Sequence, residues 1–269
     1  MNIKLIALDL DDTLLDHDQK ISPQNHDSLI AAEQQGVRIV LASGRGPFGM
    51  QPYLEQLELD RREGYAVCFN GAIVKRTDTN EQLRYAGLPH DIAVEVLQWA
   101  QQRKAVIQTY QDDTIYVSGE NAHTHIDSKL TRMKQVLSSP EEILTLQPVK
   151  YVLPGDPDLL LQYQHELRSL LGDRAGVFVS KPYFLEVMAP GADKGHGLAH
   201  VCRMLSIERS EVMAMGDAAN DLGMLEWAGF SVAMANAVPE ARKVADAITE
   251  RDNHHAGVAE ALERWVLSS

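Results

Sequence analysis

Residues 5–15 read LIALDLDDTLL, an apolar run that ends in a cluster of carboxylates. Apolar side chains occur at both odd and even positions of the run, so both faces of the segment are expected to be buried, as in a strand of a parallel sheet. Asp9, Asp11 and Asp12 then fall within four residues. Carboxylates this close raise each other's pKa unless a cation lies between them. Taken alone, the stretch fits a ligand site at the end of a strand and an exposed acidic turn equally well.

Three later apolar segments, also expected to be buried strands, end in polar residues as well. Ser43 follows the second strand, Asn70 the third and Asp217 the fourth. Helices are expected between the first three strands, and strands connected in this way form a parallel sheet. The C-terminal ends of all four would then lie at one edge, which Lys194 can reach from the helix before the fourth strand. These segments favour the site interpretation. The predicted strands occupy residues 3–8, 37–42, 66–69 and 212–215.

The middle of the chain, residues 84–188, follows a different pattern. Alternating segments such as 184–188 are typical of half-exposed antiparallel strands, and the polar segment 123–136 is expected to be helical. Strand–helix alternation resumes after this block. The sequence therefore predicts an α/β fold with a doubly wound, Rossmann-like parallel sheet core, formed by residues 1–83 and 189–269, and an inserted α+β cap domain.

Composition limits the possible partners and compartments. The net charge is −13, from 25 Lys and Arg against 38 Asp and Glu, which disfavours binding to nucleic acid or to an anionic membrane surface. No apolar run approaches the length of about 20 residues that a membrane span needs. Cys68 and Cys202 lie in apolar surroundings and are expected to be buried free thiols, as in a reducing compartment. The first residues lead into a strand without a signal-peptide pattern, so a cytoplasmic location is expected.

The side chains expected at the sheet edge are carboxylates, a hydroxyl, an amide and an ammonium. This set suits a hard divalent cation such as Mg²⁺ together with a phosphate. Asp9 and Asp11 are two apart on an extended segment, so both can face one pocket, one as a nucleophile on phosphorus and the other as general acid and base. Asp217, Asn220 and Asp221 begin a helix at spacings that place them on one face.

Four ordered motifs give the chain a resemblance to a known family. It resembles the haloacid dehalogenase superfamily, and within it the Cof-type sugar-phosphate phosphatases, over essentially its whole length. One departure is Asp12, which stands where the subfamily usually has Gly. The motifs are DLDDT at residues 9–13, SGR at 43–45, KG at 194–195 and GDAAND at 216–221.

This resemblance implies roles for the acidic residues. Asp9 would be the nucleophile that becomes aspartyl phosphate. Asp11 would protonate the leaving alcohol and then activate the water that hydrolyses the intermediate. Mg²⁺ would be held by the Asp9 carboxylate, the Asp11 backbone carbonyl and Asp217. Asp221 would support the metal indirectly, without binding it.

The resemblance also implies which residues contact the phosphate group. Leu10, Ser43, Lys194 and Asn220 would bind its oxygens, and Lys194 would screen the charge between phosphate and Asp9. The inserted domain would be the cap that selects the substrate. The expected function is Mg²⁺-dependent hydrolysis of small phosphomonoesters, sugar phosphates above all, with a small phosphorylated metabolite as partner and neither nucleic acid nor membrane.

Two alternatives use the same residues. A phosphotransferase or phosphomutase would pass the phosphoryl group from the aspartyl phosphate to a sugar hydroxyl instead of water. A sensor would bind phosphorylated metabolites without turnover, although such proteins often lose the nucleophile or the acid and this chain has both. The sequence leaves the oligomeric state open.

Several neighbouring side chains also have a plain structural interpretation. Ser43 could cap a helix, and Arg45 could contact the phosphate or face solvent. Asn70-Gly71 is a turn signal in any fold. The pair His254-His255 lies in a polar stretch and is expected to be exposed. Glu186, in the middle block, could touch substrate or occupy an alternating strand.

Overall fold

A computed structural model describes residues 2–267, so the ends of the predicted core at residue 1 and residues 268–269 lie outside them. The chain forms two compact units. The core unit comprises the residues up to Arg45, Met50–Arg84 and the residues from Asp193 onward. The inserted unit comprises Gly46–Gly49 and Tyr85–Ala192. No helix among the described residues is long and apolar enough to cross a membrane.

Strands and helices alternate along most of the core unit, and the inserted unit also contains both. The strands are β1 (Leu5–Leu8), β2 (Arg38–Ala42), β3 (Tyr65–Cys68), β4 (Ile73–Arg76), β5 (Gln82–Tyr85), β6 (Gln108–Gln111), β7 (Thr114–Val117), β8 (Lys134–Leu137), β9 (Lys150–Pro154), β10 (Gly176–Lys181), β11 (Phe184–Met188), β12 (Val212–Gly216), β13 (Phe230–Ala233) and β14 (Ala247–Ile248). The helices are α1 (Pro23–Gln34), α2 (Pro47–Gln56), α3 (His90–Arg103), α4 (Ile126–Thr131), α5 (Pro140–Thr145), α6 (Pro157–Leu171), α7 (Lys194–Leu205), α8 (Leu222–Trp227), α9 (Pro239–Val244) and α10 (Gly257–Leu262).

The core unit is built on one eight-stranded sheet with the order β14-β13-β12-β1-β2-β3-β4-β5. Neighbouring strands from β14 to β3 are parallel, and β4 is antiparallel to β3. The predicted doubly wound parallel sheet is therefore confirmed. Strand β1 lies in the middle, where Ala7 is opposite Ala214 on one side and Val40 on the other, and all four of its residues are buried. The order places the C-terminal ends of β12, β1, β2 and β3 next to one another at one edge.

The inserted unit is an α+β structure with its own six-stranded sheet, in the order β10-β11-β9-β6-β7-β8. Its strand pairs are antiparallel except β7 and β8. One face of the sheet, which includes Tyr151 and Leu185, packs in a hydrophobic cluster with Val96 of α3 and Leu160 of α6. The unit therefore has a core of its own.

Two predictions for the middle block are wrong. The segment 123–136 is not one helix: α4 ends before Arg132, which has φ 59°, and the chain then enters β8. Parallel pairing with β7 supplies the hydrogen bonds that a helix would have made within the segment. Strand β11 is buried at all five positions rather than half-exposed, and it lies between β9 and β10.

Candidate active site

Asp9 is the first residue after β1, and its position is fixed by a backbone bond to β12 and by the tight turn that follows it. Its backbone N–H donates to the carbonyl of Met215 in β12, at 3.1 Å. The chain then turns tightly, because the Leu10 carbonyl accepts bonds from the N–H groups of residues 14 and 15, at 3.1 and 2.9 Å. The Leu10 side chain is fully buried, so any contact it makes with a phosphate must come from its backbone. Asp9 itself is only 4% exposed.

Asp12 has a left-handed backbone conformation, with φ 63°. This explains why Gly is usual there in the Cof-type subfamily, since Gly adopts positive φ without steric cost. Asp is one of the few other residues that adopt this conformation readily. The Asp12 carbonyl also accepts a bond from Nδ2 of Asn236, at 2.7 Å, which ties the turn to the loop after β13. The departure from Gly is therefore compatible with the turn.

Lys194 connects two of the predicted acidic residues. Helix α7 begins at Lys194 and is capped by Asp193, whose carboxylate accepts the N–H of His196 at 3.0 Å. The Lys194 side chain is fully buried, and Nζ donates to Oδ1 of Asp9 and to Oδ1 of Asp221, both at 2.5 Å. Burial lowers the pKa of Lys194, but the two carboxylates outweigh burial and raise it above its ordinary value. The ammonium therefore remains charged.

The loop after β12 is organised by Asp221. Its Oδ2 accepts the backbone N–H groups of Asp217 and Ala218, both at 2.9 Å, and its Oδ1 accepts the bond from Lys194. Asp217 in turn accepts a bond from Oγ1 of Thr13, at 2.8 Å. Because Asp221 already accepts three donors, it is suited to orienting the loop, whereas Asp217 is suited to binding a ligand.

Asp9, Asp217 and Asp221 form an acidic triad whose oxygens lie within 4.8 Å of one another. Burial raises the pKa of Asp9 well above its usual value, the other carboxylates add to the rise, and Lys194 opposes it. Burial and the charge of Asp221 raise the pKa of Asp217 to about 7, against the opposing bond from Thr13. Buried carboxylates crowded in this way are favourable oxygen ligands for a hard cation, which relieves their repulsion. The acidic triad could therefore hold a metal ion.

Ser43, Asn70 and Asn220 are linked in a row beside the acidic triad's strands. The Asn70 N–H donates to the Ser43 carbonyl at 2.9 Å, and Nδ2 of Asn220 donates to Oδ1 of Asn70 at 3.1 Å. Ser43 is buried, and its hydroxyl accepts the N–H of Arg45 at 3.1 Å. Helix α2 begins only at Pro47, so Ser43 is not at its N-cap position. The three residues therefore place a hydroxyl and two amide groups at the C-terminal edge of the sheet, where polar side chains were expected.

Arg45 makes a contact that the sequence left undecided. Its Nε and Nη2 donate to the two carboxylate oxygens of Asp11, at 2.9 and 2.6 Å. Its Nη1 also donates to the Tyr53 hydroxyl at 3.2 Å, and its guanidinium carbon lies 5.3 Å from the centroid of that ring. Burial opposes the charge, but the bonds and charge of Asp11 raise the pKa of Arg45. The Asp11 carboxylate is thus held by Arg45 and lies outside the acidic triad.

Glu186 is placed in the inserted unit. Its Oε2 accepts a bond from Nζ of Lys150 at 2.9 Å, and the two side chains are only 8% and 5% exposed. Alternation along β11 therefore does not leave Glu186 in solvent, because it belongs to a buried ion pair.

The structure brings Asp9, Lys194 and Asp217 together as expected, and the chemical roles of these residues stay predictions.

Known proteins resemble this chain in sequence over nearly its whole length. The family model for haloacid dehalogenase-like hydrolases matches residues 6–262. The 5-amino-6-(5-phospho-D-ribitylamino)uracil phosphatase of Bacillus subtilis is 32% identical over 268 residues, covering 99% of this chain and 97% of the relative. The HMP-PP phosphatase of Serratia proteamaculans is 30% identical over 270 residues, covering 98% and 96% of the two chains.

A solved structure gives the same result for the fold. The crystal structure of a haloacid dehalogenase-like hydrolase from Bacteroides thetaiotaomicron superimposes with a TM-score of 0.90 at 34% identity, covering 97% of this chain and 99% of that one. The chain belongs to the family of haloacid dehalogenase-like hydrolases.

Proposed function

We propose that the protein is a Mg²⁺-dependent phosphatase that hydrolyses small phosphomonoesters, sugar phosphates above all, through an aspartyl phosphate on Asp9. The observation that carries the proposal is the fully buried Lys194, which bridges Asp9 and Asp221 beside Asp217. Burying an ammonium costs free energy, and strongly perturbed buried groups cluster at functional sites. A positive charge beside Asp9 would allow a phosphate dianion to approach that carboxylate. The two relatives described above are phosphatases named for phosphorylated small molecules, which supports this substrate class.

The chain's own residues would carry out hydrolysis in two steps. Lys194 engages Oδ1 of Asp9, so attack on phosphorus falls to Oδ2. As the new O–P bond forms, the ester O–P bond breaks, and Asp11 gives a proton to the leaving alcohol oxygen. Asp11 then takes a proton from the water that attacks the aspartyl phosphate, which releases inorganic phosphate and restores Asp9. Arg45 donates to both oxygens of Asp11, which suits the carboxylate that accepts a proton from water in the second step. In the first step, the Asp11 oxygen that carries the proton would have to release its bond from Arg45.

The metal ion would be held by the Asp9 carboxylate, the Asp11 backbone carbonyl and Asp217. When bound, Mg²⁺ would neutralise charge on the phosphate and on the carboxylate that attacks it. Asp221 would act indirectly, because its oxygens already accept bonds from Lys194 and from the backbone of the loop after β12. The three buried carboxylates of the acidic triad fit such an ion.

Phosphate oxygens would be bound by the Leu10 backbone, the Ser43 hydroxyl, the Asn220 amide and the Lys194 ammonium. Substrate selection would belong to the inserted unit, which we propose acts as the cap. A cap of this kind excludes water during the first step and chooses the leaving group. The presence of both Asp9 and Asp11 supports turnover over ligand sensing alone.

Release of inorganic phosphate from a panel of sugar phosphates and other phosphomonoesters tests the proposal. We expect turnover that requires added Mg²⁺, stops with EDTA and is lost in Asp9→Asn. Asp27→Asn is a matched control, because the Asp27 side chain is 82% exposed. Turnover by a folded Asp9→Asn variant equal to that of the parent contradicts the mechanism. A phosphorylated product formed from an added sugar acceptor would identify a phosphotransferase instead.

A further inference from the structure

Two histidines outside the proposed active site face each other across the core unit's surface. His17 lies in the loop after the turn at Asp12, and His254 lies in the short turn before α10. They are 237 positions apart in sequence, yet their Nδ1 atoms are 3.3 Å apart. The rings meet edge to face, with centroids 4.9 Å apart. The His17 side chain is 75% exposed, so the pair is not part of a packed core, and it has no role in the proposed reaction.

The distance between the two nitrogens suits a shared metal ion. A hydrogen bond from a ring N–H is usually about 2.7–3.2 Å long, so the 3.3 Å separation is at the weak end of that interaction. Two nitrogens bound to one tetrahedral ion, each at about 2.0–2.1 Å, lie roughly 3.3–3.4 Å apart. Imidazole is a preferred ligand of Zn²⁺ and its neighbours in the first transition series.

Both loops are held in place without any ligand. Oδ1 of Asp16 accepts the backbone N–H groups of residues 18 and 20, both at 2.9 Å, which folds the first loop. Oδ1 of Asp252 accepts the N–H of His254 at 3.0 Å, which folds the second. Nδ2 of Asn253 donates to the Leu15 carbonyl at 2.8 Å and fastens one loop to the other. The backbones of both loops are therefore fixed before a metal ion binds, so the entropy lost on binding is confined to the two histidine side chains.

Charge near the pair also favours a cation. Oδ1 of Asp18 lies 3.6 Å from Nε2 of His17, which is the ring nitrogen facing away from His254. At that distance Asp18 makes no hydrogen bond to the ring, so it contributes negative charge near the pair and does not fix the ring's orientation. Asp16 and Asp252 add negative charge to the same two loops.

We propose that His17 and His254 form a binding site for a Zn²⁺ ion, with solvent completing the coordination. This histidine site differs in ligand chemistry from the acidic triad, which offers only oxygen. Occupancy would join the loop after β1 to the loop before α10 and stabilise the folded chain.

The test is the number of Zn²⁺ ions bound per chain, measured by equilibrium dialysis in excess Mg²⁺, which competes for carboxylates but is a poor partner for imidazole. We expect one equivalent of Zn²⁺ that is lost in His17→Gln and in His254→Gln. His255→Gln is the matched control and should keep it, because Nδ1 of His255 lies 2.7 Å from Oδ1 of Asp252 and not at the pair. The variants are at exposed positions, so circular dichroism should show an unchanged fold.

Thermal unfolding gives a second readout that does not depend on activity. Zn²⁺ should raise the Tm of the parent and of His255→Gln, and should leave that of His17→Gln unchanged. Equal Zn²⁺ binding by the parent and by the double variant of His17 and His254 would overturn the proposal. Failure of the parent to bind one equivalent of Zn²⁺ in equilibrium dialysis would also overturn it. The pair would then be a weak ring-to-ring hydrogen bond.

Discussion

Lys194 is fully buried between two carboxylates, so its replacement should be strongly destabilising. Removing one partner of a buried ion pair leaves an uncompensated charge and typically costs about 3–5 kcal/mol. We expect Lys194→Met to lower the free energy of unfolding by about that amount and to abolish phosphate release. Urea unfolding and the phosphate assay measure the two effects. Lys20→Met, at a side chain 72% exposed, should change neither, and a fully stable Lys194→Met variant would contradict the prediction.

Arg45 holds the carboxylate of Asp11 through two bonds, a geometry that Lys cannot reproduce. Misplacing a catalytic group by about 1 Å can reduce the rate by up to about 100-fold. We therefore expect Arg45→Lys to fold normally and to reduce kcat by about 10- to 100-fold. Steady-state kinetics of phosphate release measures this.

A matched control for Arg45 is Arg61→Lys. Arg61 makes an exposed ion pair with Glu58, and its side chain is 71% exposed. Its replacement should leave kcat unchanged. Parent-like turnover in Arg45→Lys would mean that Asp11 is oriented by other contacts.

The sequence predicts which residues gather at the site better than it predicts how they pair. Asp9, Lys194 and Asp217 could be placed together because each lies at a strand end or helix start, and the parallel sheet brings those ends to one edge. The bond between Arg45 and Asp11 could not be predicted, since both lie in loops whose conformations depend on contacts from other strands. The only available signal was that both residues follow adjacent strands of one sheet.

At the level of elements, the start of α7 depends on a glycine in the turn after β3. Gly71 has φ 86°, and a Cβ added there would lie 2.1 Å from the carbonyl oxygen of Asp193. We expect Gly71→Ala to displace the start of α7, which carries Lys194, and to cost more than the roughly 1–3 kcal/mol of backbone strain alone. Chemical denaturation measures the loss of stability.

Gly36→Ala is a control that separates the cost of backbone strain from the cost of the steric clash with Asp193. Gly36 has the same φ of 86°, but a Cβ added there would meet nothing within 4 Å. Gly36→Ala should therefore show the strain cost by itself. If the two variants lose equal stability, the close approach of Gly71 to α7 is not important.

Strands could be predicted from the sequence where their hydrophobic pattern matches their burial in the folded protein. The four strands that lead to the site are short apolar runs buried on both faces, so their hydrophobicity was a sufficient signal. Strand β8 was missed because its hydrogen bonds come from β7, about twenty residues earlier, and its residues are largely exposed. Strands β4 and β5 were also missed, because they carry charged side chains at the far end of the sheet.

At the level of the whole molecule, metal binding should appear as global stability. A ligand that binds only the folded state stabilises it by about 2.7 kcal/mol at a concentration 100 times its Kd. We expect Mg²⁺ to raise the Tm of the parent and EDTA to remove that increase. Asp217→Asn should be insensitive to Mg²⁺, since it removes a carboxylate from the acidic triad. A Mg²⁺-dependent shift of the same size in Asp217→Asn would place the ion elsewhere.

The path of the chain has a consequence for synthesis of the protein. The core sheet joins β1 to β12, and the bond between Asp9 and Lys194 spans 185 positions. Residues Tyr85–Ala192 form a compact unit that is continuous in sequence apart from a short segment, and such a unit can fold as soon as it leaves the ribosome. The edge of β1 that pairs with β12 stays uncovered until β12 has been synthesised, which happens after the inserted unit. An unpaired strand edge promotes aggregation. The acidic triad and Lys194 are therefore brought together late, after the inserted unit has already folded.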